Sequence, residues 1–363
     1  MTIVEATRTV VGGIDTHSRV HVAAALDEVG GLLGSESFAA DPPGYAALLS
    51  WFESFGTITK VGVEGTGSYG AGVCRFLMKA GVEVVEVDRQ NRQARRNAGK
   101  SDPLDAVEAA RAAQSGKASG RAKSRDGWVE ALRVLLVAKR SARSARVKAL
   151  TQMRAVTYSS PDELRTKLEG LSISVFVSTC QGLRASRTQD RVLAATKASL
   201  SSLAHRVADL EAEIDELDER ITPLVRSNAP KLLAIGGVGI DTAASLLVAA
   251  GDNPERLRSE AAWAHLCGVS PLEASSGKVT RHRLNRGGDR QANCALWHIV
   301  ITRLASDPDT QAYMERRVKE VAPNVRSSGF SSATSPARSI ALCLAAKPSD
   351  RDLAHHDHCR PAD

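Results

Sequence analysis

The sequence has no run of apolar residues that approaches the roughly 20 needed to cross a bilayer, and its first residues lack the charged and apolar regions of a secretory signal. Its six cysteines are scattered and form no Cys-x-x-Cys pair, which argues against a zinc site or a disulfide framework. These absences predict a soluble, cytoplasmic protein with reduced cysteines and no membrane partner.

Positive charge is concentrated in one region rather than present in large excess. The 363 residues, enough for two or three domains, include 48 Lys and Arg against 41 Asp and Glu. Residues 89–148 alone hold 16 basic and 5 acidic side chains. Such a block favours a polyanion partner, because neutralised phosphates release counterions. A merely solvated surface is the alternative.

The N-terminal part alternates between strand and helix patterns. The predicted order is strands at 11–14, 21–26 and 31–38, a helix beginning with Pro42, a strand at 61–63, a helix at 70–80 and a strand at 82–87. This alternation predicts an α/β domain, in which a β-meander opens a sheet that has helices on its faces.

Four acidic residues stand at the ends of these elements. Asp15 and Glu64 follow apolar strand patterns, while Asp102 and Asp105 flank Pro103 at the start of a predicted helix. The carboxyl ends of strands are where α/β sheets place their sites, and residues three apart share a helix face. The four acids therefore predict a divalent-metal site. The alternative is that each acid caps its own turn or helix.

Residues 65–70 match the pattern Gly-x-Gly-x-x-Gly directly after a strand, with Asp88 about 20 residues further on, as in dinucleotide-binding folds. The meander before this pattern, the acid at position 64 and the basic run at 89–96 argue against that interpretation. The glycines can instead allow a tight turn beside Glu64. A dinucleotide-dependent oxidoreductase stays as an alternative.

Two long helices are predicted in the middle of the chain. The second has apolar residues alternating three and four apart from Leu200 to Ile221, which predicts a coiled-coil seam that ends at Pro223. The seam can pair with the first helix or with another subunit. The first helix, at about 128–157, carries a basic stripe that is predicted to bind nucleic acid through Lys139, Arg140, Arg143 and Arg146.

Residues 231–247 predict a helix, a glycine turn and a second helix. Amides near Gly237 and Gly239 would then grip a nucleic-acid backbone as a helix-hairpin-helix, unless the segment is an ordinary glycine-capped hairpin. Further on, Ser276 precedes Gly277 in a loop of small residues, where a nucleophile for phosphorus could stand. The alternative is a flexible basic linker. The phosphate-binding residues predicted beside it are Lys278, Arg281, Arg283, Arg286 and Arg290.

Together these motifs resemble those of one family, the IS110-type or DEDD transposases of bacterial insertion sequences. The runs at 13–17, 63–69 and 100–106 look like its three acidic motifs, and 235–277 looks like part of its C-terminal transposase domain. The resemblance covers about residues 10–310. It ends near Ala322, where a tail rich in Ser, Ala and His replaces the basic helix that is usual in the family.

The resemblance implies a RuvC-like, RNase H-like domain that binds Mg²⁺ through Asp15, Glu64, Asp102 and Asp105. It also implies a serine nucleophile, which is Ser276 or, failing that, Ser275. Members act as oligomers, here a dimer or tetramer, and are guided by a bridge RNA, for which the basic block at 89–148 is the expected dock.

The predicted organisation has four parts: a RuvC-like domain at 1–127, a helical coiled-coil region at 128–225, a mainly α transposase domain with a helix-hairpin-helix at 226–322, and a poorly ordered tail at 323–363. The predicted function is that of a nucleoid-associated DNA recombinase. The other alternative is a nucleic-acid-binding protein whose catalytic activity is impaired.

Overall fold

The computed structural model describes residues 8–87, 102–118, 120–185, 189–253, 257, 259–277, 279 and 281–325. The chain divides into two compact units, one comprising Met1–Glu130 and Ala250–Trp263, the other Ala131–Ala249 and Ala264–Asp363. Some predictions fall outside the described residues, namely those for Asp88, the basic run at 89–96, Lys278 and the tail beyond Val325.

The first unit is built on a six-stranded mixed sheet. Its strands are β1 (Thr9–Thr16), β2 (Val20–Leu26), β3 (Leu32–Ala39), β4 (Thr57–Glu64), β5 (Glu83–Val87) and β6 (Gly120–Arg121). Their spatial order is β3-β2-β1-β4-β5-β6. The pairs β1–β4 and β4–β5 are parallel, and the other neighbours are antiparallel. The predicted meander is confirmed, and this mixed sheet is compatible with the RNase H-like arrangement.

Among the described residues, three helices cover the two faces of the sheet: α1 (Pro42–Glu53), α2 (Ala71–Lys79) and α3 (Asp102–Gln114). Leu48 of α1 and Leu77 of α2 share a core with Ile14 of β1. On the opposite face of the sheet, Ala106 and other residues of α3 form a second core with Val22 and its neighbours on β2. Because successive side chains of a strand point to opposite faces, the sheet contributes to two separate hydrophobic cores.

Glycines in two neighbouring strands allow α3 to lie directly on the sheet. A Cβ added at Gly13 would come within 2.1 Å of the Ala106 carbonyl oxygen, and one added at Gly62 within 2.4 Å of the Ala109 oxygen. The two glycines are register partners in the β1–β4 pair. The alanine-rich face of α3 therefore touches the strand backbone, and this contact sets where α3 begins relative to the end of β1.

The rest of the described chain is mostly helical. It contains α4 (Trp128–Tyr158), α5 (Asp162–Leu168), α6 (Ile173–Gln181), α7 (Arg191–Asn228), α8 (Pro230–Leu233), α9 (Ile240–Ala250), α10 (Glu260–Leu266), α11 (Arg290–Ser306) and α12 (Pro308–Val325), together with a short hairpin of β7 (Leu272–Glu273) and β8 (His282–Arg283). The described residues include no helix that is both long and apolar enough to span a membrane.

Two details of the helical part differ from the prediction. The mixed, weak pattern of residues 159–189 predicts only a short helix at about 161–169 and not α6, but Phe176 and Cys180 of α6 lie in the core between α5 and α7. The predicted seam ends at Pro223, but the helix that carries it runs through this proline and continues to Asn228. Ile221 and Val225 are fully buried on either side of the proline, and their packing offsets the lost backbone hydrogen bond.

The two long helices, α4 and α7, pair within the chain. Lys139 of α4 contacts Asp218 of α7. Seven residues further along α4, Arg146 contacts Glu211, which lies seven residues before Asp218 in α7. This reciprocal spacing is that of antiparallel helices. Near the end of α4, Met153 lies in a core with seam residues of α7.

A short segment that follows α9 in the sequence, within Ala250–Trp263, belongs to the first unit. The carboxylate of Asp252 accepts hydrogen bonds from the backbone amides of Val129 (2.8 Å) and Glu130 (3.2 Å), and so caps the start of α4. The side-chain amide of Asn253 donates to the carbonyl of Ala122 at 2.8 Å. No local pattern in the sequence indicates that this segment belongs with residues 120 positions earlier.

Candidate active site

The candidate site lies at the carboxyl end of β1 and β4. Asp15 is the last residue but one of β1, and only 7% of its surface is exposed. Glu64 ends the parallel neighbour β4. The hydroxyl of Thr16 donates to the backbone carbonyl of Glu64 at 2.8 Å, so the two strand ends are tied together. The sequence predicted both acids at this edge, and the sheet brings their strand ends side by side.

Asp15, His17 and Asp102 converge at this edge. The Nε2 atom of His17 is 3.1 Å from Oδ2 of Asp15 and 3.6 Å from Oδ1 of Asp102. One ligand atom from each residue lies within 4.8 Å of the other two. Carboxylate oxygens and an imidazole nitrogen at this spacing are a suitable donor set for a divalent cation.

The electrostatics of Asp15 are those of a crowded acid. Burial raises its pKa, the charge and hydrogen bond of His17 lower it, and the charges of Asp105 and Asp102 raise it further, so the net shift is upward. Asp105 therefore acts on Asp15 although it is not among the three converging residues. A bound cation would relieve this repulsion, which makes the arrangement suitable for a metal.

The glycine loop after Glu64 is a compact turn. The backbone amides of Ser68 and Gly70 both donate to the carbonyl of Gly65, at 3.0 and 3.2 Å. The hydroxyl of Thr66 donates to the carboxylate of Glu86 on β5 at 2.6 Å. Two of the loop amides are thus used within the loop, whereas a pyrophosphate cradle needs such amides to point outwards. The turn beside Glu64 is supported over the dinucleotide alternative.

The basic stripe of α4 has a different environment from the one predicted. Lys139 is 2% exposed, and its ammonium group contacts Asp218 and, at 2.5 Å, Asp241 of α9. Arg143 reaches the same Asp241 at 2.8 Å. Arg140 donates to the hydroxyl of Ser245 at 3.1 Å, and Arg146 is paired with α7 as described above. These contacts link α4 to α7 and α9, and the charges of Lys139, Arg143 and Arg146 are paired with carboxylates inside the second unit.

The glycine turn before α9 is also packed internally. Gly237 has a positive φ of 82°, and a Cβ there would lie 2.9 Å from the side chain of Arg303 on α11. The amide of Gly239 donates to the hydroxyl of Thr242 at 2.9 Å. The first turn of α9 carries Asp241, whose carboxylate belongs to the Lys139 cluster. The segment is a helix, a turn and a helix, and its grip on phosphate remains a prediction.

Ser276 lies at the tip of the hairpin formed by β7 and β8. Its backbone pairs with that of Val279 in both directions, at 3.1 and 3.2 Å, across a turn in which Gly277 has a φ of 58°. The hydroxyl of Ser275 accepts a hydrogen bond from the amide of Arg281 at 3.2 Å, which braces the hairpin. The exposed hydroxyl of Ser276 makes no hydrogen bond with any residue that the structure describes.

The hairpin and the loop after it present positive charge to solvent. The predicted arginines are all exposed and form no ion pair within the described part of the chain: Arg281, Arg283, Arg286 and Arg290. The loop is fixed at its base, since a Cβ on Gly288 would lie 2.3 Å from the backbone of Gly268. The side chain of Asn285 donates to the His265 carbonyl at 2.9 Å. This surface belongs to the second unit, and the acidic site belongs to the first.

The acidic edge of the mixed sheet and, in the other unit, the exposed basic hairpin that carries Ser276 are each compatible with an enzyme that acts on nucleic acid. Comparison with known proteins specifies the class. A family model for DEDD transposases of the IS110 type matches residues 12–157, and a second, described as "Transposase IS116/IS110/IS902 family", matches residues 229–315. The chain belongs to the IS110-type family of transposases.

The chain is also similar to a curated protein from Streptomyces coelicolor, named as an uncharacterized 43.6 kDa protein of the insertion element IS110. The two are 33% identical over 131 residues, which make up 36% of this chain. The match spans 31% of that relative, less than a third of its length.

One residue of the site was not assigned from the sequence. The sequence pattern assigns no role to His17, although this residue lies in the first acidic motif at 13–17. The available signal is its position two residues after Asp15, directly after the end of β1.

Proposed function

We propose that the chain is the recombinase of a bacterial insertion sequence, which cuts and rejoins DNA by metal-dependent phosphoryl transfer. The observation that carries the proposal is the approach of Asp15 and Asp102 at the sheet edge where Glu64 ends β4. These acids come from separate elements. Their approach gives a transposase-family chain the carboxylate centre that phosphoryl transfer needs.

In this proposal Asp15, Glu64, Asp102 and Asp105 hold Mg²⁺, for which carboxylate oxygens are the preferred protein ligands. The bound ion would stabilise negative charge on the scissile phosphate and favour ionisation of the attacking hydroxyl. The buried carboxylate of Asp15 is held by its strand, and the first turn of α3 holds the other two aspartates on one helix face.

We assign the attack on phosphorus to the hydroxyl of Ser276. The Oγ–P bond forms as the bond from phosphorus to a deoxyribose oxygen breaks. The serine proton passes to solvent, and the leaving oxygen takes up a proton. The phosphoserine link keeps a phosphodiester that the reverse step can use for rejoining. The exposed arginines of the hairpin surface neutralise the neighbouring phosphates.

The remaining partners are part of the same proposal. DNA backbone would lie against the turn at Gly237 and Gly239, and the half-buried seam residues Leu210, Ile214 and Leu217 would form a coiled coil with another subunit in a dimer or tetramer. A structured bridge RNA would guide the complex, and the protein would act at the nucleoid in the cytoplasm.

A covalent-trapping experiment tests the serine. The full-length protein is incubated with Mg²⁺, fluorescent duplex DNA carrying the element ends, and RNA transcribed from the flanking region. Denaturing electrophoresis then separates any protein–DNA adduct. We expect an adduct with the wild type and with Ser275→Ala, but none with Ser276→Ala. An adduct from Ser276→Ala at the wild-type level would exclude Ser276.

The metal centre and the alternative function are tested with the same substrates. Asp15→Asn and Asp102→Asn should abolish both adduct and cleavage while retaining DNA binding in a mobility-shift assay. DNA binding without any Mg²⁺-dependent cleavage by the wild type would instead support the alternative of a nucleic-acid-binding protein with impaired catalysis.

A further inference from the structure

His17 lies among the acids of the candidate metal site, although it is not one of the four acidic positions. Its Nε2 atom approaches Asp15 at 3.1 Å and Asp102 at 3.6 Å. Its side chain is 43% exposed, so one side of the imidazole remains open to solvent. The inference below rests on the metal site of the proposed function and concerns which donors complete that site.

His17 is the first residue after β1, which ends at Thr16. The hydroxyl of Thr16 donates to the Glu64 carbonyl at 2.8 Å and so anchors the end of β1 beside β4. The carboxylate of Asp15, which lies within β1, is 3.1 Å from the Nε2 atom of His17, and this hydrogen bond holds the imidazole at the same edge of the sheet. The imidazole is thus positioned by its contact with the buried acid.

The spacing of the donor atoms is that of ligands of one ion. With metal–ligand bonds of about 2.0–2.2 Å, neighbouring ligands of an octahedral ion lie about 3 Å apart and opposite ligands about 4.2 Å apart. The two measured separations, 3.1 and 3.6 Å, fall between these values. The upper limit of 4.8 Å for the whole set requires only a small contraction around an ion.

We propose that His17 is a nitrogen ligand of the same divalent ion as Asp15 and Asp102, and that it makes the site favour transition-metal ions over Mg²⁺. Imidazole nitrogen binds transition metals better than it binds Mg²⁺, which prefers oxygen donors and keeps its water shell. Four carboxylates alone would discriminate less between the two kinds of ion.

Manganese is a suitable probe because it is paramagnetic. MnCl₂ is added to the full-length protein without nucleic acid, and free Mn²⁺ is counted by its electron paramagnetic resonance signal. Mg²⁺ affinity is measured by competition. For His17→Asn we expect Mn²⁺ affinity to fall by about 10–100-fold, the range seen when a group that supports a metal ligand is removed. Mg²⁺ affinity should fall by no more than about threefold, because Mg²⁺ gains little from an imidazole.

Spin-echo spectroscopy of the Mn²⁺-loaded protein gives a direct readout of the bond. We expect ¹⁴N modulation from a coordinated imidazole in the wild type and none in His17→Asn. His17→Asp should bind Mg²⁺ at least as tightly as the wild type, lower the preference for Mn²⁺ and show no ¹⁴N modulation. The matched control is His205→Asn, because His205 is an exposed imidazole that contacts only the Ser201 carbonyl of its own helix among the described residues.

Two results would overturn the inference: wild-type protein that binds Mn²⁺ without ¹⁴N modulation, or His17→Asn with unchanged Mn²⁺ affinity. Either leaves the proposed function standing if Asp15→Asn and Asp102→Asn still abolish metal binding. Failure of the proposed function itself gives a different result: the wild type forms no covalent adduct with DNA, although it still binds Mn²⁺.

Discussion

Replacing Gly13 with alanine tests whether the close packing of α3 on β1 creates the acidic site. The added Cβ would lie 2.1 Å from the Ala106 oxygen and 2.3 Å from the Ala110 nitrogen, both of them backbone atoms inside α3. The helix must therefore move outwards by about 1 Å, since packed interiors leave no space for the extra atom. Overpacking of this kind costs about 1–3 kcal/mol, or roughly 3–9 °C in unfolding temperature.

The displacement should also weaken metal binding. Asp102 is in the first turn of α3 and moves with the helix, while Asp15 stays in β1. Loss of positioning at a metal site typically costs about 10–100-fold in affinity. Thermal unfolding and Mn²⁺ titration of the purified variant measure both effects.

A glycine in the same sheet provides the control for this variant. Gly120 lies in β6, and a Cβ at that position would meet no atom within 4 Å. Gly120→Ala should therefore retain the wild-type unfolding temperature and Mn²⁺ affinity. If Gly13→Ala behaves like Gly120→Ala in both measurements, the close contact between α3 and β1 does not set the site.

Two further predictions concern the second unit. Burial alone would raise the pKa of Asp241, but its hydrogen bond to Lys139 and the nearby positive charges lower it below 3.8. The ionised carboxylate of Asp241 therefore stabilises the fold above pH 3.8, by about 1 kcal/mol at its partly exposed position. This contribution disappears as the pH falls through the lowered pKa. The difference in unfolding temperature between wild type and Asp241→Asn should thus shrink below about pH 4. Gly288→Ala places a Cβ 2.3 Å from Gly268, so it should lower the free energy of unfolding by about 1–3 kcal/mol and weaken DNA binding. Gly287→Ala is the control, because the nearest atom to its Cβ is 3.5 Å away, and it should change neither the unfolding temperature nor the mobility shift of DNA.

The sheet and the acidic edge were predictable because their signals are local. Alternating apolar residues mark the strands around Asp15, and the Asp-Pro pair at 102 marks the start of α3. The crossing of α3 over the sheet depends on glycines in two strands 49 positions apart, Gly13 and Gly62. Each glycine alone only weakens a strand, so the sequence did not show that together they admit a helix.

Lys139 shows what a charge pattern within one helix leaves out. In the sequence, Lys139 is one of several basic residues on one face of a helix, and such a face predicts binding to a polyanion. Its partners, Asp218 and Asp241, are 79 and 102 positions away, and a pattern within one helix carries no information about them. The charge of this buried lysine is paired inside the second unit, and the nucleic-acid binding predicted for the whole stripe stays a prediction.

The capping alternative for Asp15 can be weighed against aspartates of the same chain that do cap. The carboxylate of Asp27 accepts the amides of Val29 (3.0 Å) and Gly31 (2.7 Å), and that of Asp41 accepts the Gly44 amide at 2.8 Å. Asp15 accepts no backbone amide from the described residues, and its hydrogen-bond partner there is the His17 imidazole.

A carboxylate that is buried, crowded by two other acids and given no amide donor by the described residues is unfavourable as a structural element. The Asp15 edge nevertheless exists because α3 packs on the glycines of the sheet and holds Asp102 and Asp105 in place. Packing energy from the rest of the unit thus maintains an arrangement that its own electrostatics oppose. This is the relation expected of a site that is built for a cation, and a turn cap would not require it.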